Sequence, residues 1–405
     1  MSETAFPEPD VTVEAVAPET LKSWVDDGDD VAVFDVRAEG EYAEWRIEGE
    51  SVETVNVPYY EVLEGVEDEH LEALPESDDH PLVVVCAKGG ASEYVAGLLK
   101  EAGVEAVNLE EGMNGWASIY ESHEVDADTE ATVLQYQRPS SGCLSYMIVS
   151  GGSDEDGREA AVVDPLRAFA DRYLRDAESM GADLVYALDT HVHADHVSGV
   201  RELDARGARG IEGVVPAAAV DRGVTYADEL TTTADGDVFA VGDVEIETVY
   251  TPGHTSGMTS YLVDDAVLLT GDGLFTESVA RPDLEEGDDG APEAARTLYR
   301  SLQERVLALD DDVVVGGAHF SDAAEPAEDG TYTAPLGDLV ERMEALSMDE
   351  DEFVELVLSD MPPRPANYEE IIGINLGQED ADDEEAFELE LGPNNCAASQ
   401  DALTH

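Results

Sequence analysis

The sequence predicts an α/β protein of two domains, in which a parallel sheet with flanking helices precedes a second domain that is rich in β-strands. At 405 residues the chain is longer than one ordinary core supports, and 43% of its residues are apolar, enough to bury two cores. From residue 11 to about 120, short apolar runs alternate with helical stretches. From residue 131 onward, strand-like runs dominate.

The first domain is predicted over residues 11–122 by the order of its apolar runs. VAVFDV (31–36) and PLVVVCA (81–87) are continuous enough to be strands of a buried parallel sheet. The stretch ASEYVAGLLKEAG predicts a helix that ends at Gly103, and VEAVNL predicts the strand that follows it.

The second domain is predicted over residues 131–377. Strands are indicated by LSYMIVS, AAVVDP, VYALDTH, VEIETVYTPGH, TSYLVDDAVLLTGD and DVVVGGAHF. The polar stretch ESHEVDADTE (121–130) is interpreted as a linker between the domains. Residues 379–390 contain eight acidic residues, so we expect 378–405 to be a mostly disordered acidic tail.

The formal net charge of −75 indicates a chain adapted to high salt. Acidic residues occur along the whole chain, and only three of its twenty basic residues are lysines. At 1 M salt the Debye length is about 3 Å, which screens the self-repulsion of such a surface. A partner that binds acidic surfaces is the alternative explanation, whereas nucleic acid and anionic membranes would be repelled.

The location expected from the sequence is the cytoplasm of a halophilic organism. No apolar run approaches the length of a membrane span, and the start MSETAFPEPD lacks the basic and apolar regions of a secretory leader. Three scattered cysteines, Cys86, Cys143 and Cys396, are too few for a disulfide framework. We expect Cys143 to be a core residue and Cys396 a thiol of the tail.

A cluster of metal-ligand residues follows the predicted strand VYALD. His191, His193, Asp195 and His196 fall within six residues, and burying so many polar groups without partners would cost a few kcal/mol each. A loop at a strand end can direct them to one point, which suits a divalent transition metal. Further residues of the types that bind metal ions stand at the ends of later apolar runs. These are His254 in TPGHTSG, Asp272 in LLTGD and His319 in GGAHF.

This HxHxDH signature, with a later His, Asp and His in this order, resembles the metallo-β-lactamase superfamily over about 131–377. The resemblance implies an αββα sandwich with the metal site at one edge of its two sheets. In the family's hydrolases, all seven residues usually hold two zinc ions, with Asp272 bridging them, and a metal-bound hydroxide attacks a thioester or amide.

The persulfide (sulfur) dioxygenase branch instead holds one Fe(II) at the positions of His191, His254 and Asp272. His193, Asp195, His196 and His319 would then orient ligands and water, and we predict Asp195 as a catalytic residue. The segments GLFTESVARPDLEEG and MPPRPANYEEIIGINLG resemble this branch. The Gly-Cys-Gly that usually precedes the arginine of this branch reads Ser-Val-Ala here.

Arg281 and Asp283 match the Arg-x-Asp element of that branch. Two roles are open for Arg281. It could bind an anionic group of the thiol substrate, or it could form a structural salt bridge with Asp283.

Cys86 is the candidate nucleophile of the first domain, because its loop lies between a strand and a helix. Backbone N–H groups and the helix N-terminus favour an anionic sulfur there, and Lys88 adds a positive charge. Together with VFDVRAEGEYAEWRIEG and VEAVNLEEGMNGW, this loop resembles the rhodanese (sulfurtransferase) domain over about 15–120. The arginine that active members commonly carry five residues after the cysteine is Ala91 here, so an inactive structural domain is the alternative to persulfide transfer.

The two resemblances together predict a persulfide dioxygenase that oxidises a small-thiol persulfide with O2 to sulfite, coupled to a domain that carries sulfane sulfur on Cys86. The alternative is a hydroxyacylglutathione-hydrolase-like thioester hydrolase with two zinc ions. A sulfur-relay or sensor protein, with a purely structural metal, is a third class. Dioxygenases of this branch are often dimers, so the resemblance allows a homodimer, although the sequence alone does not determine the oligomeric state.

The charge generates the first testable prediction. We expect the protein to lose its fold and activity when it is diluted from molar salt into dilute buffer, because screening of the acidic surface is then removed. Circular dichroism and activity, each followed against salt concentration, measure this. A chain that keeps both in dilute buffer contradicts the halophilic interpretation.

Overall fold

The chain forms two compact units in a computed structural model that describes residues 10–63, 65–151, 157–206, 210–321, 323–359 and 361–392. The first unit consists of residues up to Tyr120 with two short later segments, and the second unit contains the rest.

The first unit is built on a five-stranded sheet in the order β1-β5-β4-β2-β3, with all of its pairs parallel. Its strands are β1 (Glu14–Val16), β2 (Val31–Asp35), β3 (Val52–Asn56), β4 (Leu82–Val85) and β5 (Ala106–Leu109). Its helices are α1 (Pro18–Asp26), α2 (Glu39–Glu44), α3 (Tyr59–Val62), α4 (Asp68–Glu72), α5 (Gly90–Glu101) and α6 (Gly112–Ala117).

Helices cover both faces of this sheet, which is why β2 and β4 are buried along their whole length. Leu99 of α5 belongs to the core on one face. Leu21 of α1 and Trp116 of α6 belong to the core on the other. The predicted strands at 31–36 and 81–87, the helix before Gly103 and the strand after it are therefore confirmed.

The second unit contains two sheets. The seven-stranded sheet has the order β12-β11-β10-β9-β8-β7-β6. Its strands are β6 (Glu121–Glu124), β7 (Thr132–Arg138), β8 (Cys143–Val149), β9 (Arg158–Val163), β10 (Ala182–Leu188), β11 (Glu212–Pro216) and β12 (Thr231–Thr233). The six-stranded sheet runs in sequence order. Its strands are β13 (Val238–Val241), β14 (Val244–Tyr250), β15 (Thr259–Val263), β16 (Val267–Gly271), β17 (Val314–Gly317) and β18 (Thr333–Pro335).

The two sheets pack face to face around one apolar core. Tyr146 and Leu188 from the first sheet meet Ile246, Tyr261 and Leu269 from the second. Helices cover the outer face of the six-stranded sheet in a second core. The helices of this unit are α7 (Ala170–Ser179), α8 (Val200–Arg206), α9 (Gly287–Ser301), α10 (Leu336–Arg342), α11 (Glu350–Ser359), α12 (Tyr368–Asn375) and α13 (Asp383–Leu389). The layers form the expected αββα sandwich.

The expected linker over 121–130 needs correction. Residues Glu121–Glu124 form β6, which pairs antiparallel with β7 at the edge of the seven-stranded sheet. The side chains of β6 are half-buried or exposed, so the strand can be polar and its composition did not reveal it.

The expected disorder from residue 378 is wrong for residues 378–392. They contain α13, whose N-terminus is capped by the Asp382 side chain accepting from the N–H groups of Glu384 and Glu385. Asp382 caps the helix, Asp383 forms an ion pair with Arg167, and Ala386 and Glu390 are buried. Residues 393–405, including Cys396, and residues 1–9 lie outside the described residues.

No helix in the described ranges combines the length and apolarity that a membrane span requires.

Candidate metal centre and thiol site

The predicted metal ligands lie where strands of the two sheets end. The loop after β10 carries His191, His193, Asp195 and His196, all of them at most 6% exposed. The other three come from the six-stranded sheet. They are His254 after β14, Asp272 directly after β16 and His319 after β17, also buried. The seven residues are divided among three clusters of possible metal ligands.

His191, His254 and Asp272 form the first cluster. The Nε2 atoms of the two histidines lie 3.6 and 3.5 Å from Asp272 Oδ2. These three atoms are buried and have no hydrogen-bond partner among the described residues. Two imidazole nitrogens and one carboxylate oxygen, unpaired and directed at one point, fit a divalent transition metal.

Hydrogen bonds on the far side of each ring fix which nitrogen faces this point. Thr190 Oγ1 donates to Asp164 and therefore accepts from His191 Nδ1, at 2.9 Å. His254 Nδ1 donates to the main-chain oxygen of Arg281, at 2.8 Å. Both Nε2 atoms are thus left with lone pairs, as metal ligation requires. Burial lowers the pKa of His191 to about 4 and also lowers the pKa of His254, so both rings are neutral.

Asp272 reaches this site because the backbone at Gly271 passes close to Thr190. Gly271 has φ 52°, and a Cβ there would overlap the Thr190 side chain. Glycine is required because the end of β16 must pass directly beside the metal-ligand loop.

A second cluster lies on the other side of Asp272. His319 Nδ1 is 2.6 Å from Asp272 Oδ1, and His319 Nε2 is 2.8 Å from Asp195 Oδ2. Asp195 Oδ2 also accepts from His196 Nδ1 at 3.0 Å and from the Cys143 thiol at 3.1 Å. Both ring nitrogens of His319 face carboxylates, so the ring is an imidazolium. Although burial opposes it, pairing with Asp272 and Asp195 raises the pKa of His319 well above its usual value.

His193 forms a third cluster. Its Nε2 lies 3.1 Å from Asp164 and 3.6 Å from Asp189. Burial and the neighbouring His196 lower the pKa of His193, but the two carboxylates overcome them and raise it to about 9. Its Nε2 is therefore held by carboxylates, while its Nδ1 is buried and has no hydrogen-bond partner among the described residues.

In the first unit, Cys86 directly follows β4 and its thiol is surrounded by donors. Sγ accepts from the N–H of Gly89 at 3.1 Å and from the hydroxyl of Ser92 at 3.0 Å. Beside it is a cavity of about 300 Å³ whose lining includes Val36, Tyr59 and Tyr60. Lys88 and Ala91 also line this cavity. Such donors stabilise a thiolate and any anionic sulfur that it carries.

Comparison with known proteins assigns the family. The profile of the Metallo-beta-lactamase superfamily matches residues 140–319, and that of the Rhodanese-like domain matches residues 17–119. A hydroxyacylglutathione hydrolase from Methylococcus capsulatus is 36% identical over 213 residues, which are 49% of this chain and 73% of that protein. The chain belongs to the metallo-β-lactamase superfamily.

Relatives of this metallo-β-lactamase-fold chain include persulfide dioxygenases. The human mitochondrial persulfide dioxygenase ETHE1 is 30% identical over 188 residues, 46% of this chain and 66% of that protein, so just under two thirds of its length is spanned. The crystal structure of ETHE1 from Myxococcus xanthus matches with a TM-score of 0.50 at 25% identity, over 60% of this chain and 98% of that chain. The predicted family and the predicted rhodanese-like first domain are confirmed.

Arg281 of this metallo-β-lactamase-fold unit lies in an ion pair. Its Nε and Nη2 donate to Asp283 at 2.7 and 3.1 Å, its Nη1 donates to the carbonyl of Pro363 at 2.9 Å, and the residue is 1% exposed. These contacts favour the salt-bridge alternative over direct substrate binding. Its main-chain oxygen contributes to the site by orienting His254.

Three residues beside the metal centre were not identified from the sequence as parts of the site. Asp164 and Asp189 follow apolar runs, as Asp272 does, and this pattern was the available signal. Cys143 was expected in the core and is indeed buried, but its contact with Asp195 spans 52 residues of chain and leaves no local signal.

Asp164 generates the second prediction. We expect Asp164→Asn to weaken metal binding about 10- to 100-fold, because Asp164 holds both His193 and the Thr190 hydroxyl that orients His191. Competition with a chelator measures the affinity. The exposed Asp243→Asn is the control and should bind metal as the unchanged protein does. Equal metal affinities for Asp164→Asn and Asp243→Asn would show that metal binding does not need the hydrogen bonds of Asp164.

Proposed function

We propose that this chain is an iron persulfide dioxygenase that oxidises the persulfide of a small thiol, and that its first domain carries sulfane sulfur on Cys86. One persulfide, one O2 and one water give one thiol and one sulfite with two protons. The electrons lost by the sulfane sulfur are accepted by O2. Glutathione is the usual carrier in the dioxygenase branch, and another small thiol would satisfy the same chemistry.

The observation that carries the proposal is the three-residue composition of the first cluster. His191, His254 and Asp272 present two nitrogens and one oxygen within 4.8 Å of one another. A 2-His-1-carboxylate set leaves coordination positions open for O2 and substrate. The further ligand that a di-zinc hydrolase of this family would use is His193, which falls in a separate cluster: its Nε2 faces Asp164 and Asp189, and its Nδ1 is buried without a hydrogen-bond partner among the described residues.

Iron(II) at this set would supply the redox chemistry, and the protein's own groups would prepare the site for it. Burial of the three ligands excludes bulk water and keeps both imidazoles neutral. The His319 imidazolium holds Asp272 Oδ1, so that Oδ2 stays directed at the metal position. Asp195 fixes His319 from its other side, and this is the role we assign to Asp195.

The first domain supports the same chemistry. The cavity beside Cys86 can admit a small organic sulfur compound, and the Gly89 N–H and Ser92 hydroxyl stabilise anionic sulfur there. Attack of the Cys86 thiolate on the outer sulfur of a persulfide would form a Cys86 persulfide and release the thiol. The proposal includes a homodimer in the cytoplasm of a halophile.

Metal analysis combined with an oxygen electrode tests the proposed activity. We expect about one iron per chain and O2 uptake that requires glutathione persulfide. His254→Ala should lose both, because it removes one of three ligands. Iron-loaded protein without persulfide-dependent O2 uptake would contradict the dioxygenase.

Cys86→Ser tests the first domain separately. We expect this variant to keep iron and O2 uptake and to lose a sulfur adduct of 32 Da detected by mass spectrometry after incubation with persulfide, one sulfur atom being about that mass. The unchanged protein is the control. If it forms no adduct at Cys86 with persulfide or thiosulfate, the domain is structural, as the alanine at position 91 would allow.

A thioester hydrolase with two zinc ions is the second candidate. The observation that favours it is the second cluster, in which Cys143, Asp195, His196 and His319 also offer ligand atoms within 4.8 Å. Two zinc ions per chain with rapid thioester hydrolysis, and no O2 uptake, would establish this function in place of the first.

A further inference from the structure

The loop that carries the metal-ligand residues is held by side chains from the far end of the chain. Asn375, the last residue of α12, is 5% exposed. Its Nδ2 donates to the carbonyls of His193 at 3.0 Å and of His196 at 2.8 Å, and its Oδ1 accepts from the N–H of Ser198 at 2.9 Å. Every hydrogen-bonding atom of this amide is thus directed at the backbone of one short loop.

Glu390 makes the corresponding contact from the next helix. It follows α13, is 4% exposed, and accepts from the N–H of Val197 at 2.8 Å. Ala386 of α13 packs against Val197 and Ile374 in a small apolar cluster.

A separate ion pair fixes the position of α13. Arg167 donates to Asp383 at 2.7 Å and to the carbonyl of Ala381 at 3.1 Å.

The loop needs such partners because it lies between β10 and α8 without regular secondary structure of its own. A buried backbone N–H or C=O without a partner costs about 1–3 kcal/mol. Asn375 and Glu390 together satisfy backbone groups at four of the six positions from 193 to 198. These positions surround Asp195, whose carboxylate holds His319 and, through it, Asp272.

We propose that Asn375 and Glu390 are positioning residues that fix the metal-ligand loop. The segment 367–390 thereby helps to set the geometry of the metal centre. They act through the backbone on Asp195 and His196, and from there on the carboxylate ligand Asp272. This inference rests on the metal-binding part of the proposed function and is independent of the reaction and of which metal ion is bound.

Four variants test the proposal in the full-length protein. Asn375→Ala and Glu390→Ala remove the contacts. Glu390→Gln keeps a side-chain oxygen that can accept from Val197. Glu388→Ala removes an exposed carboxylate from α13, the helix that precedes Glu390, and serves as the matched control.

The readouts are the dissociation constant of Co(II), from chelator competition, and the visible spectrum of the Co(II)-loaded protein. The spectrum reports ligand geometry, which a purely structural role elsewhere would leave unchanged. We expect both alanine variants to bind Co(II) about 10- to 100-fold more weakly, with an altered spectrum. Glu390→Gln should recover most of the affinity, and Glu388→Ala should match the unchanged protein.

Wild-type affinity and spectrum in both alanine variants would overturn the proposal, as would a Glu390→Gln variant that binds Co(II) as weakly as Glu390→Ala. If circular dichroism shows that Asn375→Ala does not fold, the three glutamate variants decide the question. Failure of the dioxygenase assay is a separate outcome, since it leaves the Co(II) affinities of these variants interpretable.

Discussion

In the second unit, the carboxylate of Asp272 connects two halves of one buried polar network. Its Oδ2 lies within 3.6 Å of the Nε2 atoms of His191 and His254, and its Oδ1 is bound by His319. A buried carboxylate is costly unless its oxygens are paired or ligate a metal. The arrangement therefore requires β16 to end beside the loop that follows β10, and this requirement explains the glycine at position 271.

The charge states of the histidines divide this network by function. His191 and His254 are kept neutral by burial, so their lone pairs are available to a metal. Although burial lowers the pKa of His193 and of His319, the carboxylates that face these rings raise it, and the ring nitrogens directed at the carboxylates donate hydrogen bonds. These four histidines of one buried network thus take different roles, because the carboxylates that face each ring differ.

The two units are chemically consistent with the sulfur chemistry that we propose. Cys86 has donors suited to an anionic sulfur atom, and the metal centre offers an open set of ligands. A small-thiol persulfide is itself anionic, and a chain of charge −75 repels it in dilute buffer. At molar salt the repulsion extends only about 3 Å, so short-range contacts decide whether the substrate enters. The extreme charge is therefore compatible with an anionic substrate only under screening.

The α/β class, the two family resemblances and the parallel sheet of the first unit could be predicted from the sequence, as could the seven candidate metal-site residues. These features are visible locally, because apolar periodicity and ligand spacing are properties of short segments. Polar composition was misleading at both ends of the second unit. Glu121–Glu124 form an edge strand, and the segment expected to be disordered contains α13.

The fold was needed to show which atoms face one another: the Nε2 atoms of His191 and His254 face Asp272 Oδ2, whereas Nε2 of His193 faces Asp164. The fold also revealed that Asp164 and Cys143 lie in the site and that Arg281 pairs with Asp283. It further revealed the contacts of Asn375 and Glu390 with the metal-ligand loop, which lies far earlier in the chain. Such contacts depend on where two distant segments meet in space, and a hydrogen bond between a side chain and a distant backbone requires no pattern around either residue.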